Sequence, residues 1–246
     1  NQFAYVLSLS HIIADGYIYY RLLSMLTCKL TPIVAFSPVR KAAFNEERWR
    51  AVGRSEYDFI FSPGFLLNCL TSKLLRGTPR CHAYLINQEK VRELKALAAE
   101  DEQVQYLSTN DILFSSFAKL FGARACSMAV NFRGRLANVT EEDAGNYQGL
   151  LWFGPEDVAS PSLVRATLEQ GRLRGVYRRC GSSPARPLPD FWETIRSRMA
   201  AITSWVFNDE PILEGCQVDL HLPHFDLDEV NTDLALLFKA RPGQPA

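Results

Sequence analysis

The chain has 246 residues, and its 27 basic and 27 acidic side chains give a formal net charge of zero. Apolar residues make up 47% and charged residues 22%, which is typical of an ordinary soluble globular protein. The neutral balance argues against a general nucleic-acid or polybasic membrane binder, and no apolar stretch is long enough to span a bilayer. The first residues show no signal-peptide pattern.

The first third of the chain is predicted to open with a strand and a helix. Residues 3–10 are β-prone with alternating apolar positions, and residues 17–30 carry apolar side chains at helical spacing. Residues 31–79 are interrupted by four prolines and are interpreted as an irregular crossover linker. Within it, residues 46–54 form a charged helical piece and residues 65–75 an apolar one.

The rest of the chain alternates predicted strands and helices without an internal repeat, so the fold class is α/β or α+β. A flexible loop rich in Ser and Pro is predicted at 180–189. The predicted strands are 82–86, 125–132, 148–153, 202–207 and 234–239, and the predicted helices are 88–99, 108–121, 161–179 and 191–201.

The sharpest motif is His11-x-x-x-Asp15-Gly16, between the first predicted strand and the first predicted helix. A histidine at the carboxyl end of a strand faces the crevice where α/β sites form, and it can act as a general base near neutral pH. Asp15 suits the N-cap of the helix, and a carboxylate turned into the protein needs a cationic partner. Chance produces this motif about two times in a hundred in such a chain. A core histidine beside a simple helix cap therefore remains an alternative.

HIIADG and the helix after it resemble the H-x-x-x-D-G motif of acyl-CoA-dependent acyltransferases with the chloramphenicol-acetyltransferase fold, most closely the BAHD branch. Weaker matches follow in the order found in that family. They are STNDILFSSFAKLFGARACSMAVNFRGRL (108–136) for a helix, strand and Arg segment, AGNYQG (144–149) for the Tyr-Phe-Gly-Asn turn, ITSW (202–205) for a Trp strand, and LALLFKARPGQPA (234–246) for the penultimate strand.

The resemblance implies a two-lobe fold with a mixed sheet flanked by helices. Residues 1–33 would end the first lobe, residues 34–80 would form the crossover, and residues 81–246 would form the second lobe. The sequence also departs from the family: Leu150 replaces the Asn of the turn, and the Asp-Phe-Gly-Trp-Gly motif is absent. The chain is also much shorter than members of that branch. We therefore expect part of the first lobe and the last strand to lie outside this sequence.

The activity that the resemblance implies is acyl transfer from a coenzyme A thioester to an alcohol or amine. The catalytic motif would be His11, Asp15 and Gly16, with His11 as general base. Asp15 would form a structural ion pair with Arg133, and Arg135 is the alternative partner. This chemistry passes directly through a tetrahedral intermediate, since no G-x-S-x-G nucleophile motif is present.

Two further groups of residues receive roles from the same resemblance. Ser204 and Trp205 are candidate donors to the oxyanion or contacts to the substrate. Ser108 and Thr109 are candidate contacts for coenzyme A, although a helix cap explains them equally well. An arginine group could meet coenzyme A phosphates or an acidic partner, but a solvated helix end and linker is the simpler interpretation. It comprises Arg172, Arg174, Arg178, Arg179 and Arg186.

Two other functions stay open. A condensation-type domain would take acyl groups from a carrier protein, but such domains typically have a second histidine where this chain has Ser10. A non-catalytic acyltransferase-like subunit of a larger complex is the other alternative. If the chain is an acyl-CoA-dependent acyltransferase, its partners are acyl-CoA and a small-molecule acceptor. Acyl-CoA would then be a co-substrate and not a bound cofactor. The chain would be a monomer or such a subunit.

The cysteines and the remaining histidines predict neither disulfides nor a metal site. The six cysteines are far apart without C-x-x-C spacing, so we expect free thiols in the cytoplasm or another reducing compartment. Cys28 is interpreted as a core residue of the first helix. His221 and His224 have no third ligand nearby in sequence.

Overall fold

The computed structural model describes residues 2–27, 32–75, 77–98, 104–174, 176–177, 188–206, 213–224, 230 and 232–241. None of the helices in these ranges has the length and apolarity that crossing a bilayer takes. The elements, in chain order, are α1 (Gly16–Thr27), α2 (Phe44–Val52), α3 (Arg54–Ile60), α4 (Pro63–Leu75), α5 (Gln88–Ala98), α6 (Thr109–Leu120), β1 (Ala125–Asn131), β2 (Gln148–Phe153), α7 (Pro161–Arg174), α8 (Phe191–Arg196), β3 (Met199–Ser204) and β4 (Asp233–Leu237).

The four strands form one sheet in the order β2-β1-β3-β4. β1 and β2 are antiparallel, with Cys126 opposite Phe153 and Asn131 opposite Gln148. β1 pairs with β3 in parallel, and β3 pairs with β4 in parallel. The predicted class, a mixed sheet flanked by helices, is therefore confirmed.

The main core lies between this sheet and the helices packed against it. Phe114 of α6, Phe132 after β1, Phe153 of β2 and Val164 of α7 are completely buried in one apolar cluster. Burying each such side chain stabilises the fold by roughly 1.5–3 kcal/mol. This core holds the ends of β1 and β2, from which the residues around His11 project.

The segment interpreted as an irregular linker is largely helical and closes the outer edge of β2. Phe59 of α3 and Phe65 of α4 meet Trp152 of β2 edge to face, with ring centroids 5.1 and 5.5 Å away. The buried Glu56 accepts a hydrogen bond from the Trp152 backbone N–H at 3.3 Å. Pro63 begins α4, because a proline at the first helical position loses no intrahelical hydrogen bond.

Two predicted strands are wrong. Residues 3–10 and 82–86 are not strands in the structure. Val6 is 83% exposed and Leu85 is 96% exposed. A β-prone sequence becomes a strand only when a neighbour supplies backbone partners.

The other predicted elements are present, with shifted ends. The predicted helix 191–201 stops at Arg196, and residues 199–201 begin β3. Cys81, Cys126 and Cys216 carry free thiols as expected. Outside the described residues lie Cys28, most of the predicted loop 180–189, and Arg178, Arg179 and Arg186 of the arginine group.

Candidate functional site

The H-x-x-x-D-G segment forms a tight turn that leads directly into α1. The backbone N–H groups of Ile13 and Ala14 both donate to the Ser10 carbonyl, at 3.1 and 3.2 Å. Asp15 Oδ1 then accepts from the Ile18 N–H at 3.2 Å, which is an N-cap hydrogen bond. Asp15 therefore caps the helix, as the sequence predicts.

Asp15 also forms a buried ion pair. Arg133 Nη1 donates to Asp15 Oδ2 at 2.6 Å, and the two side chains are 1% and 2% exposed. The Tyr147 backbone N–H donates to the same oxygen at 2.9 Å. One carboxylate thus joins the start of α1, the end of β1 and the loop before β2.

Arg133 uses all five of its N–H groups. Nη1 donates to Asp15 and to Asn131 Oδ1 at 3.2 Å. Nε and Nη2 both donate to the Asp143 carbonyl at 3.1 Å, and Nη2 also donates to the Gly145 carbonyl at 2.8 Å. Because every N–H group of this buried guanidinium has an acceptor, Arg133 stabilises one arrangement of the loop around it.

Aromatic rings complete the surroundings of Arg133. Its guanidinium carbon lies 4.9 Å from the Tyr17 ring centroid and 5.2 Å from that of Tyr147. The alternative partner, Arg135, is engaged elsewhere, since its Nη1 donates to the Tyr177 hydroxyl at 3.0 Å. The partner of Asp15 in the structure is therefore Arg133 and not Arg135.

The loop that supplies carbonyls to Arg133 is itself anchored by the Asp143 side chain. The carboxylate accepts from the Thr140 N–H at 2.8 Å and the Thr140 hydroxyl at 3.1 Å, and it pairs with Lys41 Nζ at 3.2 Å. Burial alone would raise the pKa of Asp143. The bonds from Thr140 and the Lys41 charge outweigh burial and hold the pKa below its ordinary value.

His11 is exposed, in contrast to the buried pair beside it. Its ring nitrogens each face a carboxamide: Nδ1 is 3.3 Å from Asn146 Nδ2, and Nε2 is 3.0 Å from Gln148 Nε2. Asn146 Nδ2 also donates to the His11 carbonyl at 3.1 Å. This exposure excludes the alternative in which His11 is a core histidine.

The sequence pattern did not single out Asn146 or Gln148 as partners of His11. The resemblance covers AGNYQG only as a turn. An amide side chain there carries no periodicity that marks it as a contact to a histidine 135 positions away. Asn146 and Gln148 contact His11 because the antiparallel pairing of β1 and β2 places this loop over the turn.

Trp205 lies against the first residue of α1. A Cβ added to Gly16 would sit 3.3 Å from the Trp205 indole nitrogen, so a larger residue here would press on the indole ring. The Trp205 ring also meets Tyr20 edge to face at 5.8 Å. Ser204 pairs with Leu237 at the end of β3. Among the described residues, neither Ser204 nor Trp205 has a side-chain hydrogen bond to His11, and their oxyanion role stays a prediction.

Ser108 and Thr109 are occupied at the start of α6. The Ser108 hydroxyl accepts from the Asp111 N–H at 3.2 Å, and Asp111 Oδ2 accepts from the Ser108 N–H at 2.7 Å, forming a capping box. The Thr109 hydroxyl accepts from Lys95 Nζ at 3.1 Å. The helix-cap interpretation of Ser108 is thus correct. A coenzyme A contact at either residue stays a prediction.

His221 connects α1 to the segment after β4 through two hydrogen bonds, which the sequence did not indicate. Its Nδ1 lies 3.2 Å from the Lys239 carbonyl, which can only accept, so Nδ1 carries the proton. Nε2 is then free to accept from the Tyr20 hydroxyl at 3.2 Å. Burial raises the pKa of Tyr20 well above its ordinary value, so this hydroxyl keeps its proton. No cluster of three or more possible metal ligands occurs in the part of the chain that the structure describes.

Comparisons with known proteins return few matches. No protein-family model and no curated protein matches the sequence. Two solved structures resemble the chain at 14% and 15% identity, with TM-scores of 0.33 and 0.36. They are the first condensation domain of the CDA synthetase, and the first condensation domain of the calcium-dependent antibiotic synthetase in complex with substrate analogue 3a.

In both comparisons the match covers 83% of this chain and 48% of the solved domain, so the chain spans about half the length of those structures. Likenesses at these TM-scores carry no weight for function. The function therefore depends on the chemistry of the turn around His11.

Proposed function

We propose that the chain carries the general-base site of an acyltransferase, which moves an acyl group from a pantetheine thioester to an alcohol or amine. Coenzyme A is the expected carrier of the thioester. The observation that supports this function is an exposed histidine on a turn that a buried ion pair fixes from the other side. The exposed imidazole of His11 is accessible to a substrate, while Asp15 and Arg133 hold the backbone that positions it.

The division of labour between His11 and Asp15 follows from their surroundings. Proton removal by a positioned histidine contributes about 10²- to 10⁴-fold in rate. Asp15 accepts from Arg133, from the Tyr147 N–H and from the Ile18 N–H, so three of its four lone-pair sites are already engaged in the fold. Asp15 is therefore a structural anchor in this proposal, and His11 alone handles the proton.

The reaction balances without a covalent intermediate on the protein. His11 takes the proton of the acceptor hydroxyl or amine as its oxygen or nitrogen bonds to the thioester carbonyl carbon. The tetrahedral intermediate then collapses, the carbon–sulfur bond breaks, and the thiolate leaves with the proton from His11. The products are an ester or amide and the free thiol.

Cysteine chemistry does not compete with this route at the buried thiol of β1. Burial raises the pKa of the Cys126 thiol to about 12, and the negative charge of Asp157 adds to the shift. A thiol in that state is not a nucleophile near neutral pH. Direct transfer through His11 is therefore the simpler mechanism.

The thioester carrier separates the two enzymatic alternatives. A condensation-type domain would accept an acyl group on a carrier protein, whose pantetheine arm ends in the same thioester chemistry. Ser10, which stands where a second histidine is typical, has its hydroxyl 3.3 Å from the Ile12 N–H and accepts its hydrogen bond within the turn. Its engagement in the turn suits a structural role, so the proposal keeps one histidine as the base with either carrier.

The test measures thiol release from a panel of acyl-CoA thioesters and, in a second arm, from acyl groups loaded on a carrier protein. Each arm includes a mixture of small alcohols and amines, and His11→Ala is the control. Acceptor-dependent release lost in His11→Ala supports the proposal, and the active arm identifies the carrier. Release by neither arm, with a folded protein, would overturn it and favour the non-catalytic subunit.

A further inference from the structure

We propose that Gln148 is a positioning residue for His11, an inference that rests on the proposed general-base function. Its carboxamide holds Nε2 of the imidazole at 3.0 Å, while Asn146 holds the opposite edge of the ring. An exposed histidine otherwise rotates freely about its side-chain bonds. Two contacts on opposite nitrogens fix both the position and the plane of the ring.

Asn146 presents its amide nitrogen to His11. That nitrogen donates to the His11 backbone carbonyl at 3.1 Å, and a carbonyl oxygen can only accept. The same nitrogen lies 3.3 Å from Nδ1, so Asn146 ties the ring to its own backbone. Asn146 is thus committed to one orientation of its amide.

Gln148 faces the nitrogen that keeps its proton, because the Asn146 N–H points at Nδ1 and a neutral imidazole then carries its one proton on Nε2. A carboxamide offers an N–H donor on one side and a carbonyl acceptor on the other, and the two exchange by half a turn of the amide. Half a turn of the Gln148 amide presents its carbonyl to the proton on Nε2, and Nδ1 is then the nitrogen that takes the substrate proton. An acceptor at Nε2 remains bonded to His11 before and after proton transfer, because Nε2 carries a proton in both states.

The backbone of Gln148 is held by the sheet. It is the first residue of β2 and lies opposite Asn131 of β1, whose side chain accepts from Arg133 Nη1. The register that places Gln148 beside His11 therefore also connects it to the Asp15–Arg133 pair. Side chains on strands position a reacting group more accurately than side chains on loops.

The test compares Gln148→Met, Gln148→Glu and the wild-type chain. Methionine fills similar space but can neither donate to nor accept from an imidazole. We expect Gln148→Met to lower kcat roughly ten- to hundredfold with little change in the donor KM, because a small misplacement of a catalytic group has that effect. Gln148→Glu keeps an acceptor for the protonated ring and should recover most of the lost rate.

Nitrogen NMR of the imidazole rings provides a readout that does not depend on turnover. The His11 signals are assigned by their loss in His11→Ala. Gln148→Met should shift the His11 Nε2 resonance and leave that of His221 unchanged. The matched control is Gln105→Met, since Gln105 is an exposed glutamine on the connection before α6, and it should change neither the spectrum nor kcat.

The two proposals fail in different ways. An unchanged Nε2 resonance in Gln148→Met, or no recovery of rate in Gln148→Glu, overturns the positioning role. Inactivity of the wild-type chain with every donor overturns the proposed function instead. The NMR comparison still decides the positioning role in that case.

Discussion

Among the residues that the structure describes, two buried arginine–aspartate pairs lie at helix N-termini, and one of them lies beside an exposed histidine. Asp15 at the start of α1 pairs with Arg133 at 2.6 Å, and Asp111 in the first turn of α6 pairs with Arg165 at 2.5 Å. Both guanidinium groups also lie against tyrosine rings, the second against Tyr106 at 4.5 Å. A buried pair at a helix start is therefore not in itself the mark of a site.

The two pairs differ in how completely they are satisfied. Arg133 Nη1 donates to Asp15, and both oxygens of that carboxylate accept hydrogen bonds. Arg165 sends Nε and Nη2 to the same oxygen, Oδ2 of Asp111, while Oδ1 is buried without a hydrogen bond in the part of the chain described. The first pair organises a loop around a functional turn. The second joins α6 to α7 and supports the core.

The largest effect is expected from removing the imidazole of His11, which lies beside the Asp15–Arg133 pair. His11→Ala should lower acyl-transfer turnover by about 10²- to 10⁴-fold, because the general base is lost. The melting temperature should change little, since the His11 side chain is exposed. Thiol-release kinetics and thermal unfolding on the same preparation check both parts. Normal turnover by the folded variant would remove the functional distinction between the two pairs.

Breaking each pair separately tests the comparison directly. Arg133→Met and Arg165→Met should each lower the free energy of unfolding by about 3–5 kcal/mol, because each leaves a buried carboxylate without its cation. Arg133→Met should also abolish turnover in the protein that remains folded, since the loop around His11 loses its anchor. Arg165→Met should retain kcat per folded molecule.

Urea unfolding gives the folded fraction of each variant, and turnover is measured in the cold where both are folded. Equal loss of kcat in the two variants would mean that the pairs act alike and that the first has no special link to His11.

The smallest effect concerns the loop that supplies carbonyls to Arg133. The folded protein holds the pKa of Asp143 below its ordinary value of 3.8. Protonation therefore favours the unfolded chain, and this contribution to stability, present above about pH 4, is lost as the pH falls through the lower folded pKa. Asp143→Asn should give a flatter dependence of unfolding free energy on pH. Urea titrations between about pH 6 and about pH 3 check this. Parallel curves for the two proteins would contradict it.

Local signals in the sequence predicted the elements that depend on local chemistry. Asp15 is an N-cap in both the prediction and the structure, and Ser108 begins the capping box of α6. The strands β1 and β2 are short and mostly apolar, and the structure has them where expected. The resemblance pointed to Arg133 as the partner of Asp15, and the structure has these side chains 2.6 Å apart.

The errors and omissions concern contacts between distant parts of the chain. Residues 3–10 and 82–86 have strand-like patterns, but a pattern cannot reveal whether a partner strand lies alongside. Asn146 and Gln148 are ordinary polar residues in the sequence. Their meaning depends on a register between β1 and β2 that no local signal encodes. The sequence thus predicted the histidine and the ion pair beneath it, but not the two amides that contact the imidazole ring.

The saturation of Arg133 restricts where a substrate charge can bind. Each of its five N–H groups already donates to an oxygen of the protein, and its charge is balanced by Asp15. A substrate carboxylate or a carrier phosphate would have to displace a carbonyl that shapes the turn of His11. Although Arg133 pairs with Asp15 of the motif, it has no free N–H group with which to bind a ligand. Any anionic group of donor or acceptor must therefore be recognised by cations on other elements.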